Sequence, residues 1–217
     1  MNVSSISTRG TEALLAVMAV AVAAYAFLAY ALQPAGAQVG EAMQAVYRLN
    51  PIVIHTHAFA AGLALLLGPW QFSSRLRTRR PQVHRWIGRV YLVAGVVVGG
   101  VSGLLLSRIA QGGWVGQLGF ACLAVVWLYT GYQGYRAIRR GQRAEHRRWM
   151  LRNHALTLAA VSLRIYIPLS LANGIPFQDA YPVIAWICWV PHLVIAQWWL
   201  NRGNAINAAG ALPTMPR

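Results

Sequence analysis

The sequence predicts an all-α protein, a six-helix transmembrane bundle with both termini cytoplasmic. Three observations lead there. The chain of 217 residues is 57% hydrophobic but only 11% charged, where a soluble domain carries about a quarter charged residues. Its apolar residues fall in long runs, close to the ~20 residues that cross a bilayer as a helix. All 19 basic side chains are arginine, and most sit in two short loops between those runs.

The runs divide the chain in order. Residues 1–11 read as an N-terminal cytoplasmic tail. The six expected spans, together residues 12–200, are Glu12–Leu32, Pro51–Phe72, Ile87–Ser107, Gly113–Tyr135, Asn153–Leu171 and Tyr181–Leu200. Residues 201–217, rich in Gly, Asn, Ala and Pro, read as a disordered C-terminal tail. Helices are required because an unpaired backbone group in hydrocarbon costs several kcal/mol, and a helix pairs its own. The runs are too long and evenly apolar for barrel strands. Ala35-Gly36-Ala37 resembles a signal-peptidase site, but the preceding run exceeds the usual 7–15 residues of a signal core. Between the first two spans, Gln44–Leu49 could form a short interfacial helix.

Orientation follows from arginine bias in short loops. One loop holds Arg75, Arg77, Arg79, Arg80, Arg85 and Arg89; another holds Arg136, Arg139, Arg140, Arg143, Arg147, Arg148 and Arg152. The opposite loops hold Arg48 and Arg108. The expected location is therefore the bacterial inner membrane, with both arginine loops inside. Arg77, Arg79, Arg80, Arg139, Arg140 and Arg147 are candidate contacts for anionic lipid headgroups or a partner protein. Because these arginines alternate with apolar runs, no nucleic acid partner is expected. Cys122 and Cys188 lie in separate runs without metal-ligand spacing, and read as packing residues.

On the third span Gly95, Gly99 and Gly103 recur every four residues, a flat stripe suited to close helix contact or to a flat cofactor. Spans two to five are expected to form the core, with spans one and six peripheral.

Ionisable groups inside a bilayer are candidates for function because of their cost. His57 lies ~9 Å inside the second span at ~1.5 Å rise per residue. Arg164 and His192 lie near the middle of the fifth and sixth and form a candidate buried polar site. Pro168 frees the carbonyl of Arg164, and Pro191 that of Ile187, by lacking the N–H that would bond it; together these suggest a small cavity. His84 and His154 each begin a span at matched depth, as bis-histidine ligation of haem b requires, with His57 serving a second, outer site. His55 and His57 diverge by roughly 200° on a helix and cannot share a ligand. With only Glu12, Glu41, Glu145 and Asp179, paired-carboxylate catalysis and carboxylate-coupled transport lack parts. No nucleophile, zinc or phosphate-loop motif is present, and no catalytic residue or metal ligand is assigned.

Several stretches together carry a family resemblance. They are His57-Ala58-Phe59-Ala60-Ala61-Gly62 through Leu67-Gly68-Pro69-Trp70-Gln71-Phe72, Pro81-Gln82-Val83-His84-Arg85-Trp86-Ile87-Gly88-Arg89-Val90-Tyr91, His146-Arg147-Arg148-Trp149-Met150, and Leu163-Arg164-Ile165-Tyr166. Over about residues 50 to 200 the chain resembles the bacterial membrane family catalogued as domain of unknown function 2306. The resemblance implies a polytopic membrane protein and supplies no activity. It also implies asparagine at the place of His192, which weakens that residue as a ligand. The architecture is similar, by analogy alone, to membrane di-haem cytochromes b. Three functions follow as expectations: haem-binding electron transfer with a quinone or another redox partner, a non-enzymatic module binding lipid or protein, and a small-anion transporter using Arg164.

Overall fold

The computed structural model describes residues 3–33 and 40–210. Ala35-Gly36-Ala37 and residues 211–217 lie outside the described residues. Among those described there are helices and no strand. Six stretches are long and apolar enough to cross a membrane: Ala13–Leu32, Pro51–Gln71, Pro81–Ser107, Gly113–Arg139, Arg143–Ala172 and Phe177–Arg202. No more than 39% of any of these windows is buried inside the protein. The remainder includes Val93, Val101, Val125, Leu169, Val194 and Ile195, all apolar and exposed. Such a surface is stable only in hydrocarbon, so this is an integral, multi-pass membrane protein.

The helices in chain order are α1 (Val3–Leu32), α2 (Glu41–Leu49), α3 (Pro51–Gln71), α4 (Ser74–Arg79), α5 (Pro81–Val90), a π-helical segment (Tyr91–Val97), α6 (Val98–Ser107), α7 (Gly113–Arg139), α8 (Arg143–Thr157), α9 (Ala159–Ala172), α10 (Phe177–Ile187) and α11 (Val190–Gly210). The interfacial helix expected at Gln44 starts slightly earlier. The last helix runs on to Gly210 and so takes in part of the stretch read as tail.

Three spans are interrupted, each with a local cause. The third is continuous from Pro81 to Ser107 but widens to a π-helix at Tyr91–Val97; such segments are frequent at functional sites. The fifth breaks at Leu158. There the Thr157 hydroxyl donates to the carbonyl of Asn153 at 3.0 Å, a back-bond of the kind that bends helices. The sixth turns at Cys188 and Trp189, just after the carbonyl of Ile187 that Pro191 leaves without a helical donor. Pro168, by contrast, sits inside an unbroken α9.

The glycine stripe of the third span is a helix–helix contact. A Cβ on Gly95 would lie 3.0 Å from Ala64 Cβ and 3.2 Å from its Cα, and one on Gly99 would meet Trp127 and the backbone of Ala61. Helix α3 and Trp127 pack against the stripe at Gly95 and Gly99, while Gly99 and Gly103 also border a cavity. Gly95→Ala should therefore force α3 and the third span apart and cost about 1–3 kcal/mol, the usual penalty of overpacking. A melting curve of the purified protein measures it.

The main core joins Ala64, Tyr91, Val96, Trp127, Leu156, Ile184, Cys188 and Trp189. The sixth span is thus central, contrary to expectation. Gly119 on α7 allows it: an added Cβ would sit 2.9 Å from both Cβ and O of Ala185, so α10 approaches through small residues. Helix α1 is peripheral as expected, with Ala19 and Ala23 packed on Leu65 and Val161 in a separate cluster.

A polar network fastens the third, fourth and fifth spans. Tyr91 Oη donates to Asn153 Oδ1 at 2.7 Å and lies 3.0 Å from Thr157 Oγ1. Asn153 Nδ2 donates to Trp127 O at 2.8 Å and Thr130 Oγ1 at 2.9 Å, and Trp127 Nε1 donates to Thr157 Oγ1 at 3.0 Å.

Candidate functional site

The two arginine loops lie at one end of the bundle. The end of α3 meets α8 there through a ring contact of Phe72 with His154 at 5.1 Å. Also there, His146 Nδ1 donates to the carbonyl of Gly134 at 2.8 Å. Arg79, Arg80, Arg139, Arg140 and Arg147 are exposed, and Arg77 is half-buried. Several arginines lie over aromatic rings: Arg89 on Trp86 at 5.2 Å, Arg139 on Tyr135 at 5.9 Å and Arg152 on Trp149 at 4.6 Å. Arg152 also donates twice to Gln197 Oε1, at 2.9 and 3.0 Å. Arg140 borders a cleft of about 160 Å³ shared with Arg136, Gln142 and Glu145.

Towards the opposite end the bundle forms a partly open cavity of about 220 Å³. At ~30 Å³ per water molecule this is room for about seven waters, or for one small molecule or headgroup. Helices α1, α3, α6, α7, α9 and α10 wall it, and α2 contributes Met43, Val46 and Tyr47. Most of the wall is apolar: Ala26, Ile54, Leu65, Leu123, Leu156 and Leu163 among others. The polar groups are few: His57, Arg164, Tyr30, Tyr47, Tyr181, Ser107 and Thr157. A mostly apolar concavity with a few placed polar groups is the usual form of a small-molecule site.

His57 enters from α3. Its Nδ1 lies 2.9 Å from the carbonyl oxygen of Gly99. A carbonyl can only accept, so Nδ1 carries the proton and donates, and Nε2 of the neutral ring is left as an acceptor. The ring lies flush with Gly103, where an added Cβ would come within 3.0 Å of Cε1. His55, two residues earlier, turns the other way, with its Nδ1 2.6 Å from the carbonyl of Pro51 and its ring edge-on to Tyr30. The divergence expected of the pair is observed.

Arg164 enters from α9, ~12 Å from the end of that helix at ~1.5 Å per residue. Its Nη1 donates to the carbonyl of Ala160 at 3.0 Å, within its own helix. Among the described residues no carboxylate lies within ion-pair distance of it; the ion pair found is Arg148 with Glu145 at 3.7 Å, at the other end. Arg164 is within electrostatic reach of His57, Tyr30 and Tyr47. Tyr30 and Tyr47 lie close enough for their hydroxyls to influence each other. Burial pushes the Tyr47 hydroxyl well above the usual phenol range, with Arg164 pulling the other way. Tyr47 is accordingly a neutral hydroxyl and offers Arg164 no counter-charge.

The structure therefore pairs Arg164 with His57 in one cavity, and separates it from His192. The His192 ring bonds Ser162 Oγ through Nε2 at 3.0 Å and the carbonyl of Ala155 through Nδ1 at 3.2 Å. Both ring nitrogens are used within the protein, so His192 joins helices and does not complete the polar site. His84 and His154 lie near the arginine-rich end, away from His57. His154 packs against Gly68 and Phe72, whereas His84 is within reach of Arg77 and His146. Among the described residues the Nδ1 atoms of both, with Nε2 of Gln71, are buried and have no hydrogen-bond partner.

Sequence reasoning missed Tyr30, Tyr47 and Tyr181. Each is one aromatic residue in or beside an apolar run, a pattern shared by interfacial anchors, and only tertiary contact distinguishes them. It also missed the Asn153 network: Asn153 stands between Arg152 and His154 at the polar start of the fifth span, and only its spacing of one turn from Thr157 hints at a shared partner.

The family model described as a predicted membrane protein, DUF2306, matches residues 54–200, and the chain belongs to that family. No curated protein and no solved structure matches it. The matched span contains His57, Arg164 and most of the cavity wall.

Proposed function

We propose that this DUF2306 membrane protein binds a small amphiphile whose anionic head meets Arg164 in the cavity. The observation that carries this reading is a guanidinium in a largely apolar cavity, with no carboxylate among the described residues within ion-pair distance. A charged side chain at mid-membrane costs about 2.5–3.5 kcal/mol even on permissive insertion scales, and an anionic ligand would offset that cost. The apolar wall suits the part of a hydrocarbon tail next to the head, and the rest would leave through the open side of the cavity. The reading supplies no step that would move the ligand across the membrane, so it is narrower than the small-anion transporter expected from Arg164 alone.

The test is calorimetric titration of decyl phosphate and of decanoate into the full-length protein in maltoside micelles. Saturable binding of at least one, above the uptake by empty micelles, is expected. Heat indistinguishable from empty micelles for both would refute the reading.

The arginine-rich end is read as cytoplasmic, which puts the cavity in the outer half of the membrane. A cysteine introduced at Gly141 in a chain lacking Cys122 and Cys188 should resist an impermeant maleimide in intact cells and react after lysis. Labelling in intact cells would invert the protein. Attraction of Arg79, Arg80, Arg139 and Arg140 to anionic lipid, about 1 kcal/mol for each arginine near the surface, follows from the same orientation.

A second reading rests on the unpartnered nitrogens of His84 and His154. Haem b held by these two residues would give the purified protein a Soret band that His84→Ala and His154→Ala each remove. A protein made with ample haem that shows no such band would exclude it, and with it electron transfer to a quinone. His57 does not join such a site, since it opens on a different cavity.

A further inference from the structure

The cavity sorts its ligands by more than charge. His57 is held by two contacts that fix what it can offer. Its Nδ1–H is spent on Gly99 O at 2.9 Å, and the bare face of Gly103 lies against its Cε1 edge. The nitrogen left for the cavity is Nε2, which in this tautomer has a lone pair and no proton. Arg164 is the reverse. Among the described residues one of its N–H groups is bound, to Ala160 O, and a guanidinium can donate but not accept. A ligand that satisfies both must present an anionic oxygen to Arg164 and an O–H or N–H to His57.

Carboxylates and sulfates supply only the first. A phosphate monoester in its singly protonated form supplies both from one head. Its P–O⁻ oxygens accept from the guanidinium, and its P–OH donates to Nε2.

We infer that His57 is a specificity residue that makes the Arg164 cavity select a phosphate monoester head over anions lacking a proton to donate. The inference rests on the proposed anion site at Arg164 and adds the class of head it takes. The same chemistry occurs in a monoester lipid and in inorganic phosphate, which differ in the tail.

The experiment titrates the intact protein, in maltoside micelles at about pH 6, with decyl phosphate, decyl sulfate and inorganic phosphate. At that pH about half of a monoester keeps its second proton. The wild type should bind decyl phosphate about tenfold tighter than decyl sulfate, the worth of one hydrogen bond. His57→Leu should bring the two within about twofold by weakening decyl phosphate alone. Equal binding of both by the wild type would overturn the inference while leaving an anion site at Arg164 intact. So would a preference that survives in His57→Leu. Tight binding of inorganic phosphate, equal to that of decyl phosphate, would support selection by the head and refute the amphiphile. No saturable binding of any probe would sink the site itself. The wild-type ratio is informative even if His57→Leu does not fold.

Discussion

Arg164→Gln is expected to weaken decyl phosphate binding about 100-fold or more and to leave the melting temperature unchanged or slightly higher. The binding loss has a clear source. Hydrogen bonds to a charged group contribute about 1.5–3 kcal/mol, and truncating one partner of a buried charge pair costs about 3–5 kcal/mol. The lower range spans about ten- to 150-fold in affinity and the upper range exceeds about 100-fold throughout. Stability should move little because Arg164 donates to a carbonyl of its own helix and is not paired with an acid among the described residues. Removing it also removes a charge from hydrocarbon. The combination separates a ligand-binding arginine from a structural one. If the charge served to hold helices together, the variant would melt markedly lower. Calorimetry and a melting curve on the same preparation decide between them. Arg164→Lys should recover part of the affinity, since an ammonium keeps the charge and loses the fork of donors.

Asn153→Leu is expected to be the most damaging single change to stability that leaves the cavity side chains in place. Asn153 is fully buried and holds three bonds to other helices: from Tyr91 Oη, to Trp127 O and to Thr130 Oγ1. Side-chain bonds between membrane helices average about 0.6 kcal/mol and reach about 1.7. Three of them, with some strain from the new methyl groups, give a loss of about 2–4 kcal/mol. Part of the network can adjust. Tyr91 Oη already lies 3.0 Å from Thr157 Oγ1 and can turn its proton there. Tyr91→Phe should for that reason cost less, about 1–2 kcal/mol, mainly by leaving Asn153 Oδ1 unsatisfied. Reversible unfolding in mixed micelles measures both. A loss under about 0.5 kcal/mol for Asn153→Leu would mean that apolar packing alone holds these helices. Because Trp127 and Thr157 also border the cavity, a loosened network should reach ligand binding as well, though less than Arg164→Gln does.

These two variants mark the boundary between what was legible in the chain and what was not. The sequence by itself determined the solvent and the architecture. Hydrocarbon admits backbone only when its hydrogen bonds are closed, so long apolar runs can only be helices, and six runs gave six spans. It also determined that Arg164 is costly, because charge in a run of apolar residues is visible without any fold. Proline was only half legible: Pro168 and Pro191 each remove a backbone donor, yet the helix breaks just before Pro191 and runs on through Pro168.

Only the tertiary structure decided which polar groups meet. Arg164 and His192 both lie at mid-span, and nothing local says that one lines a cavity while the other spends both ring nitrogens on Ser162 and Ala155. His57 and Arg164 are far apart in the chain, and their meeting depends on how α3 and α9 are packed. That packing turns on small residues such as Gly95 and Gly119, whose lack of a side chain allows close approach without naming the partner. The same limit applied to the matched-depth histidines: the spacing of His84 and His154 along their helices sets depth, but direction around the helix and the neighbour it meets belong to the assembled bundle. Depth is a property of one helix in lipid, and convergence is a property of several packed together.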